Sequence, residues 1–262
     1  MKKDDLIVFR KWFSDYCESF YSPDTEDQKN ISLKEHHTYR VCENILEIAK
    51  RLSLDNHQAM LAEAIALFHD IGRFPQYAKY KTFRDSVSTN HGLLGAQTLK
   101  KEGVLNSLPD NEQDLIIEAV KFHNAFSIPK KGNSSIVFFI KLIRDADKLD
   151  IWRVLIEFIE NPAENRASAV SLGLPDLKEY SEDVLSHLYK KQVVSLSQTK
   201  TLNDFKILQL SWLYDINFKP SFQLFLERDY LNRIIAQLPQ SEEIQKLSLF
   251  LENFIKKKLQ NN

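Results

Sequence analysis

Apolar residues along this chain recur at the three- and four-residue spacing that places them on one face of an α-helix. Between positions 33 and 54 the series includes Val41 and Ile48, and His37 lies in phase with it. A second series begins behind the capping residue Asp55 and stops near Asp70, because glycine and proline follow at positions 72 and 75. The pattern predicts two consecutive amphipathic helices.

The helical pattern returns in four further segments, at 91–102, 110–123, 136–160 and, with interruptions, 177–259. Irregular stretches lie at 72–90 and 124–135. A stretch as long as 72–90 inside a compact domain is usually functional or mobile. The pattern as a whole predicts an all-α fold, with additional helices at the C-terminal end.

No linker divides the chain, and we therefore predict a single α-helical domain over residues 1–262. Two other interpretations of the C-terminal third stay open at this point. It is a small separate module, or it is a dimerisation surface that would make the protein a homodimer.

Composition narrows the class of protein further. Hydrophobic residues make up 43% of the chain and charged residues 27%, which is the globular range. Only 6 glycines and 8 prolines occur, which argues against a many-stranded β fold with its frequent turns. A net charge of -1 gives no field that would attract nucleic acid or anionic lipid.

The chain has no apolar run long enough to span a bilayer, and its first residues do not resemble a signal peptide. Its 2 cysteines are too few for a disulfide framework or a thiolate metal cluster. We expect a cytoplasmic protein with no membrane partner and no stable nucleic-acid partner.

Histidines and aspartates lie at the ends of successive predicted helices, several of them on the apolar side. The set is His37, His69, Asp70, His91, His123 and Asp147. Each of these histidines alone is more often a hydrogen-bonded core residue than a ligand. The prediction depends on the whole set, because groups on the inward faces of a bundle can meet inside it.

Burying imidazoles and carboxylates together is costly unless something compensates their polarity. A divalent metal ion does so, because it binds neutral imidazole and keeps the carboxylates ionised. Donors of these two kinds without thiolate favour a transition metal, Mn, Fe, Co, Ni or Zn. We therefore predict one or two such ions.

The other three histidines lack this context. His57 lies beside a helix cap and His187 lies on an amphipathic C-terminal helix, so both are interpreted as surface residues. His36 points about 100° away from His37 on a helix, out of phase with the apolar series.

Three segments resemble the HD-domain superfamily of metal-dependent phosphohydrolases. Residues 37–41 (HTYRV) resemble its first-histidine helix, 64–73 (AIALFHDIGR) its signature, and 146–150 (ADKLD) its closing aspartate motif. The resemblance covers about 33–155 and leaves about 176–260 as a C-terminal helical extension. It implies an all-α, HD-domain-like helical bundle.

The resemblance also implies a ligand set. His37, His69, Asp70 and Asp147 would hold one metal ion, with Asp145 and Asp150 as the neighbouring alternatives to Asp147. Some members of the superfamily hold a second ion with two further histidines, and here these would be His91 and His123, with Asp70 bridging. The HD-GYP signature is absent, so no cyclic dinucleotide substrate is implied.

Basic residues near the signature are candidates for binding substrate phosphate. Arg73 follows the histidine–aspartate pair by one turn, and a guanidinium matches phosphate in a bidentate fork. Lys81 and Arg84 follow in a stretch that interleaves basic and aromatic residues, which suits a nucleotide or a simple lid over the core equally well. Lys148 binds phosphate or pairs with a neighbouring aspartate.

The functional hypothesis is a metal-dependent phosphohydrolase that uses metal-activated water on a nucleotide or another small phosphorylated metabolite. Its catalytic residues would be Asp70, Asp147 and Arg73. Two alternatives remain open. One is a diiron oxygenase of the HD type, and the other is a metal-containing regulatory module that binds a nucleotide without turnover.

Overall fold

The computed structural model describes residues 1–128, 133–162 and 167–260, and every regular element in these ranges is a helix. The predicted all-α fold is therefore confirmed. Part of the irregular stretch predicted at 124–135 lies outside the described residues. The α-helices are α1 Lys3–Glu18, α2 Thr25–Arg51, α3 Asn56–Phe68, α4 Arg73–Tyr80, α5 His91–Glu102, α6 Asp110–Phe122, α7 Ser134–Glu160, α8 Glu182–Tyr189, α9 Leu202–Ser211, α10 Lys219–Glu227, α11 Tyr230–Ala236 and α12 Glu242–Gln260.

The chain forms two compact units, Met1–Asp150 and Ile151–Asn262. Helix α7 contributes its first part to the first unit and its remainder to the second. The prediction of a single domain stays a prediction.

Helix α3 is the central helix of the first unit. All eight of its residues from Leu61 to Phe68 are buried, and alanines at three of these positions let other helices approach closely. Phe68 meets the ring of Phe9 from α1 edge to face, with 5.4 Å between the centroids. Across the unit, Asn44 of α2 donates to the carbonyl of Ala146 in α7 at 3.0 Å. The chain that leaves α3 therefore starts from a firmly packed position.

Side-chain caps set the starts of three helices in this unit. Asp24, Asp55 and Asn90 each accept from the backbone N–H three residues later, at 2.8–2.9 Å. Such caps satisfy donors that have no partner inside the helix. The cap predicted at Asp55 is confirmed.

The prediction of an irregular loop over 72–90 is wrong for its first half, which forms helix α4. Pro75 is the third residue of this helix, where the backbone N–H would have no intrahelical partner, so proline is tolerated. Phe74 and Tyr77 are buried three residues apart on one face. Phe74 packs on Phe13 of α1 with 6.1 Å between the ring centroids. Burial of these aromatics outweighs the helix-breaking appearance of the segment.

The second unit has its own aromatic centre. The fully buried Trp152 meets Phe225 of α10 with 4.5 Å between ring centroids, and its indole N–H donates to the carbonyl of Gln209 in α9 at 3.1 Å. Every residue of α9 is buried. Near the start of α9, Asp204 accepts from the backbone N–H of Ser181 at 2.6 Å, and this bond fixes the segment that precedes α8. In the described parts of the chain, no helix combines the length and the apolarity needed to cross a membrane.

Candidate metal centre

The six predicted ligands come from five different parts of the first unit. His37 lies within α2, and Asp147 lies within α7. His69 and Asp70 follow the last residue of α3, His91 is the first residue of α5, and His123 follows the last residue of α6. The structure brings all six side chains together, and all but Asp147 are buried.

We call His37, His69, Asp70 and Asp147 the first half-site. The Nε2 atom of His37 lies 3.0 Å from Asp147 Oδ1 and 3.6 Å from Asp70 Oδ2. The Nε2 atom of His69 lies 3.7 Å and 3.8 Å from the same two oxygens, and 3.4 Å from His37 Nε2. The donor atoms of His37, His69 and Asp70 thus lie within 4.8 Å of one another, and Asp147 joins them through its contacts with the two imidazoles.

We call Asp70, His91 and His123 the second half-site. The Nε2 atoms of His91 and His123 lie 3.4 Å and 3.7 Å from Asp70 Oδ1, and 3.1 Å from each other. Asp70 therefore points one carboxylate oxygen at each half-site. In this position the carboxylate of Asp70 could contribute one ligand to each of two ions.

Carboxylates support one histidine in each half-site from behind. The Nδ1 atom of His37 lies 2.7 Å from Asp150 Oδ2, and the Nδ1 atom of His91 lies 2.6 Å from Asp85 Oδ2. Asp150 is therefore placed behind a ligand, while Asp147 faces the half-site. A carboxylate on the outer nitrogen of a ligating histidine fixes the orientation of the ring and raises its basicity as a ligand.

Backbone carbonyls support the other two histidines. The Nδ1 atoms of His69 and His123 each lie 2.7 Å from the carbonyl oxygen three residues earlier, at Ala66 and Val120. All four imidazoles thus donate from Nδ1 to an outer acceptor and turn Nε2 inward. The inward Nε2 atoms lie only 3.1–3.4 Å apart beside carboxylate oxygens, and a divalent cation among them would bind the nitrogens and offset the charge of the carboxylates. This donor set fits a transition-metal centre.

Electrostatics in the first half-site favour a positive charge. Burial and the neighbouring Lys34 act to lower the pKa of His37, but hydrogen bonds to Asp147 and Asp150 outweigh them and raise this pKa to about 9. In the metal-free protein the half-site thus holds a proton on His37. A metal ion has to displace that proton.

The second half-site differs in this respect. Burial, assisted by the charge of Arg73, lowers the pKa of His91 to about 3, so this imidazole is neutral and ready to ligate. Burial also opposes ionisation of Asp70, but Lys34 and His69 more than compensate and hold its pKa well below the usual range. The carboxylate of Asp70 is therefore ionised.

Comparison with protein families matches residues 35–152, the segment that contains all six donors, to the family model of the HD domain. The chain contains an HD domain. HD domains form a family of metal-dependent hydrolases that bind divalent metal ions, and the resemblance to this superfamily is confirmed. Searches of curated proteins and of solved structures find no match.

Two glycines permit the close packing of the HD domain around the second half-site. A Cβ on Gly72 would lie 2.2 Å from the carbonyl oxygen of His91 and 2.6 Å from the backbone nitrogen of Gly95. A Cβ on Gly92 would lie 2.6 Å from Asn124 Oδ1. Only glycine allows the turn after α3, the start of α5 and the turn after α6 to approach this closely.

The guanidinium group of Arg73 forms hydrogen bonds within its own segment of the HD domain. Its Nη1 donates to Gln76 Oε1 at 2.9 Å, to the carbonyl of Phe83 at 2.6 Å and to Asp85 Oδ1 at 2.9 Å. Its Nε lies 3.4 Å from Asp70 Oδ1. Arg73 thus borders the bridging carboxylate, and its predicted role in binding substrate stays a prediction.

The other basic candidates stay predictions as well. Lys81 is exposed and forms an ion pair with Asp27 of α2. Arg84 lies just before the short 3-10 turn 85–87, and its carbonyl accepts from Ser88 Oγ at 2.7 Å. Lys148 is buried on α7, with its Nζ 3.5 Å from the carbonyl of Arg144.

Three further residues lie around the centre without having been predicted to do so: Lys34, just before the matched segment, and Asp85 and Asp150 within it. Lys34 donates from Nζ to Asp70 Oδ2 at 2.8 Å. Its position one helical turn before His37 is the signal that could have identified it. Asp150 was considered only as an alternative ligand, and Asp85 was not among the predicted site residues. Spacing along the sequence does not identify a side chain that hydrogen-bonds to a ligating histidine only in the folded protein.

Proposed function

We propose that this HD domain is a phosphohydrolase that cleaves a phosphate ester of a nucleotide or another small phosphorylated metabolite. The observation that carries the proposal is the position of Asp70, whose two oxygens face two separate pairs of inward-turned imidazoles. Two ions held by one carboxylate suit phosphate esters, because such sites act on both the attacking and the leaving oxygen of an in-line displacement.

Bound at the two half-sites, divalent ions would supply activation of water and neutralisation of phosphoryl charge. The chain itself supplies the placement. Asp147 is the most exposed of the six donors, with 18% of its side chain accessible, whereas the other five side chains are at most 6% accessible. We therefore assign Asp147 to the substrate side, where its carboxylate would orient water. Lys34 and Arg73 would add positive charge beside Asp70.

The test is hydrolysis by protein loaded with Mn, Fe, Co, Ni or Zn. The panel contains phosphomonoesters, nucleoside mono-, di- and triphosphates, cyclic nucleotides and (p)ppGpp-like compounds, and released phosphate or nucleotide is measured. We expect His37→Ala to lower the turnover rate by about 10³-fold or more. The adjacent His36→Ala is the matched control, because His36 is exposed on the same helix, and this variant is expected to keep wild-type rates.

The same experiment separates the alternatives. Oxygen uptake by iron-loaded protein with a polyol or phosphonate, without phosphate release, would replace the proposal with a diiron oxygenase. Thermal stabilisation by a nucleotide without any product would replace it with a regulatory binding module. Equal rates for the His37 and His36 variants would reject the site itself.

A further inference from the structure

The support of His91 differs from that of the other three ligating histidines because it comes from an exposed segment. Asp85 begins the short turn 85–87 between α4 and α5, and 29% of its side chain is accessible. Asp150, which supports His37, lies on helix α7 with 2% accessible. The two remaining supports are backbone carbonyls at helix ends.

Asp85 connects three parts of the chain through its two carboxylate oxygens. Oδ2 accepts from His91 Nδ1 at 2.6 Å and from Asn124 Nδ2 at 3.0 Å. Oδ1 accepts from Arg73 Nη1 and Gln76 Nε2, each at 2.9 Å. Four side-chain donors and, at 3.4 Å, the backbone N–H of His91 thus surround one carboxylate. Asp85 holds α4, the start of α5 and the turn after α6 in one arrangement.

This assembly surrounds the second half-site. His91 is one of its ligands, and Asn124 is the residue directly after His123, the other one. The first half-site has supports of its own, Asp150 behind His37 and the carbonyl of Ala66 behind His69. The two half-sites thus share Asp70 but not the residues that hold their histidines in place.

We infer that Asp85 is the positioning residue of the second half-site and that its carboxylate decides whether the centre holds two ions or one. The inference rests on the proposed metal centre. Without the carboxylate, His91 loses the acceptor that orients its ring, and the second ion loses a ligand. The first ion keeps three ligands of its own and the Oδ2 atom of Asp70.

Asp85→Asn tests this with little change in shape. Whichever way the amide faces, its NH₂ group meets donors, either His91 Nδ1 or the pair Arg73 and Gln76. Metal-free full-length protein is titrated with Co²⁺ or Mn²⁺, and bound metal per chain is measured by equilibrium dialysis with elemental analysis. His91→Gln serves as the reference for loss of the second half-site, and Asp150→Asn as the corresponding change in the first.

We expect two ions per wild-type chain. The binding step that is lost in His91→Gln is the step of the second half-site. In Asp85→Asn the affinity of this step should weaken by about 10- to 100-fold, and the affinity of the other step should stay within about threefold of wild type. Asp150→Asn should weaken the opposite step. Thermal unfolding of the metal-free variants identifies any that fail to fold, and for such a case Asp85→Glu, which keeps the charge but displaces it, should show the same selective loss.

Each other result overturns the inference. Two ions bound to Asp85→Asn at wild-type affinity would show that Asp85 does not position His91. Equal weakening of both steps would reduce Asp85 to general structural support. A wild-type chain with one ion would leave the second half-site without a metal, whereas a chain with none would also overturn the proposed function.

Discussion

Substitution of Gly72 by alanine tests how strictly backbone packing sets the ligand geometry. The new Cβ would lie 2.2 Å from the carbonyl oxygen of His91, about 1.2 Å closer than the 3.4 Å at which ordinary contact begins. That oxygen belongs to the backbone of α5, so relief requires the helix start and the turn that carries His69 and Asp70 to separate. A metal site tolerates only about 0.2 Å of error in its ligand distances.

We therefore expect Gly72→Ala to weaken binding of an ion between Asp70 and His91 by about 10-fold or more. Overpacking of this size should also lower the free energy of unfolding by about 1–3 kcal/mol. Metal titration with elemental analysis gives the first quantity, and urea denaturation of the metal-free protein gives the second. Because the backbone contacts that cause the strain also set the ligand positions, both effects should appear together.

Gly95→Ala, on the helix α5 that Gly72 contacts, is the matched control. Its Cβ would meet the methyl carbons Ile71 Cγ2 and Val120 Cγ1, each at 3.2 Å, and side chains can yield by that amount. We expect stability within about 1 kcal/mol of wild type and unchanged metal content. If Gly72→Ala matches this control in both measurements, the argument that the backbone contact sets the site is refuted.

Three further predictions concern the rest of the chain. Chelation of metal from loaded protein should lower the thermal midpoint, because ligands that bind only the folded state stabilise it by about 2.7 kcal/mol at 100-fold excess over Kd; an unchanged midpoint argues against a tightly bound ion. Trp152→Phe should cost about 2–3 kcal/mol, because it leaves a cavity and removes the bond to Gln209, and a urea midpoint equal to wild type would contradict this. Asp24→Ala should cost about 1 kcal/mol by removing the cap on α2, measured in the same way; Asp24→Asn, which can still cap, should restore most of it.

Much of the fold follows from local physics that the sequence displays. Helical periodicity and the cap at Asp55 predicted elements that the structure contains. Helix α4 escaped prediction because its short sequence, with Pro75 inside it, has little helical preference. It forms because Phe74 and Tyr77 are buried in the core, and the residues that build this core are distant along the chain.

The candidate site was predictable for a related reason. Polar residues on apolar helix faces are costly to bury, so His69 and His123 stood out wherever they occurred. Asp85 did not, because a polar residue in an irregular segment is ordinary there. Its role arises only when the turn that carries it comes to rest against His91, which is a property of the assembled fold.

Because its carboxylate faces both half-sites, Asp70 differs from the other five predicted ligands in what a single mutation would do. Loss of His91 or His123 would still leave the four donors of the first half-site for one ion, and loss of His37, His69 or Asp147 would leave the second half-site intact. A change at Asp70 takes a ligand from both. Under the proposed function, one substitution would turn a dinuclear centre into a mononuclear one, provided that the substitution spares Asp70.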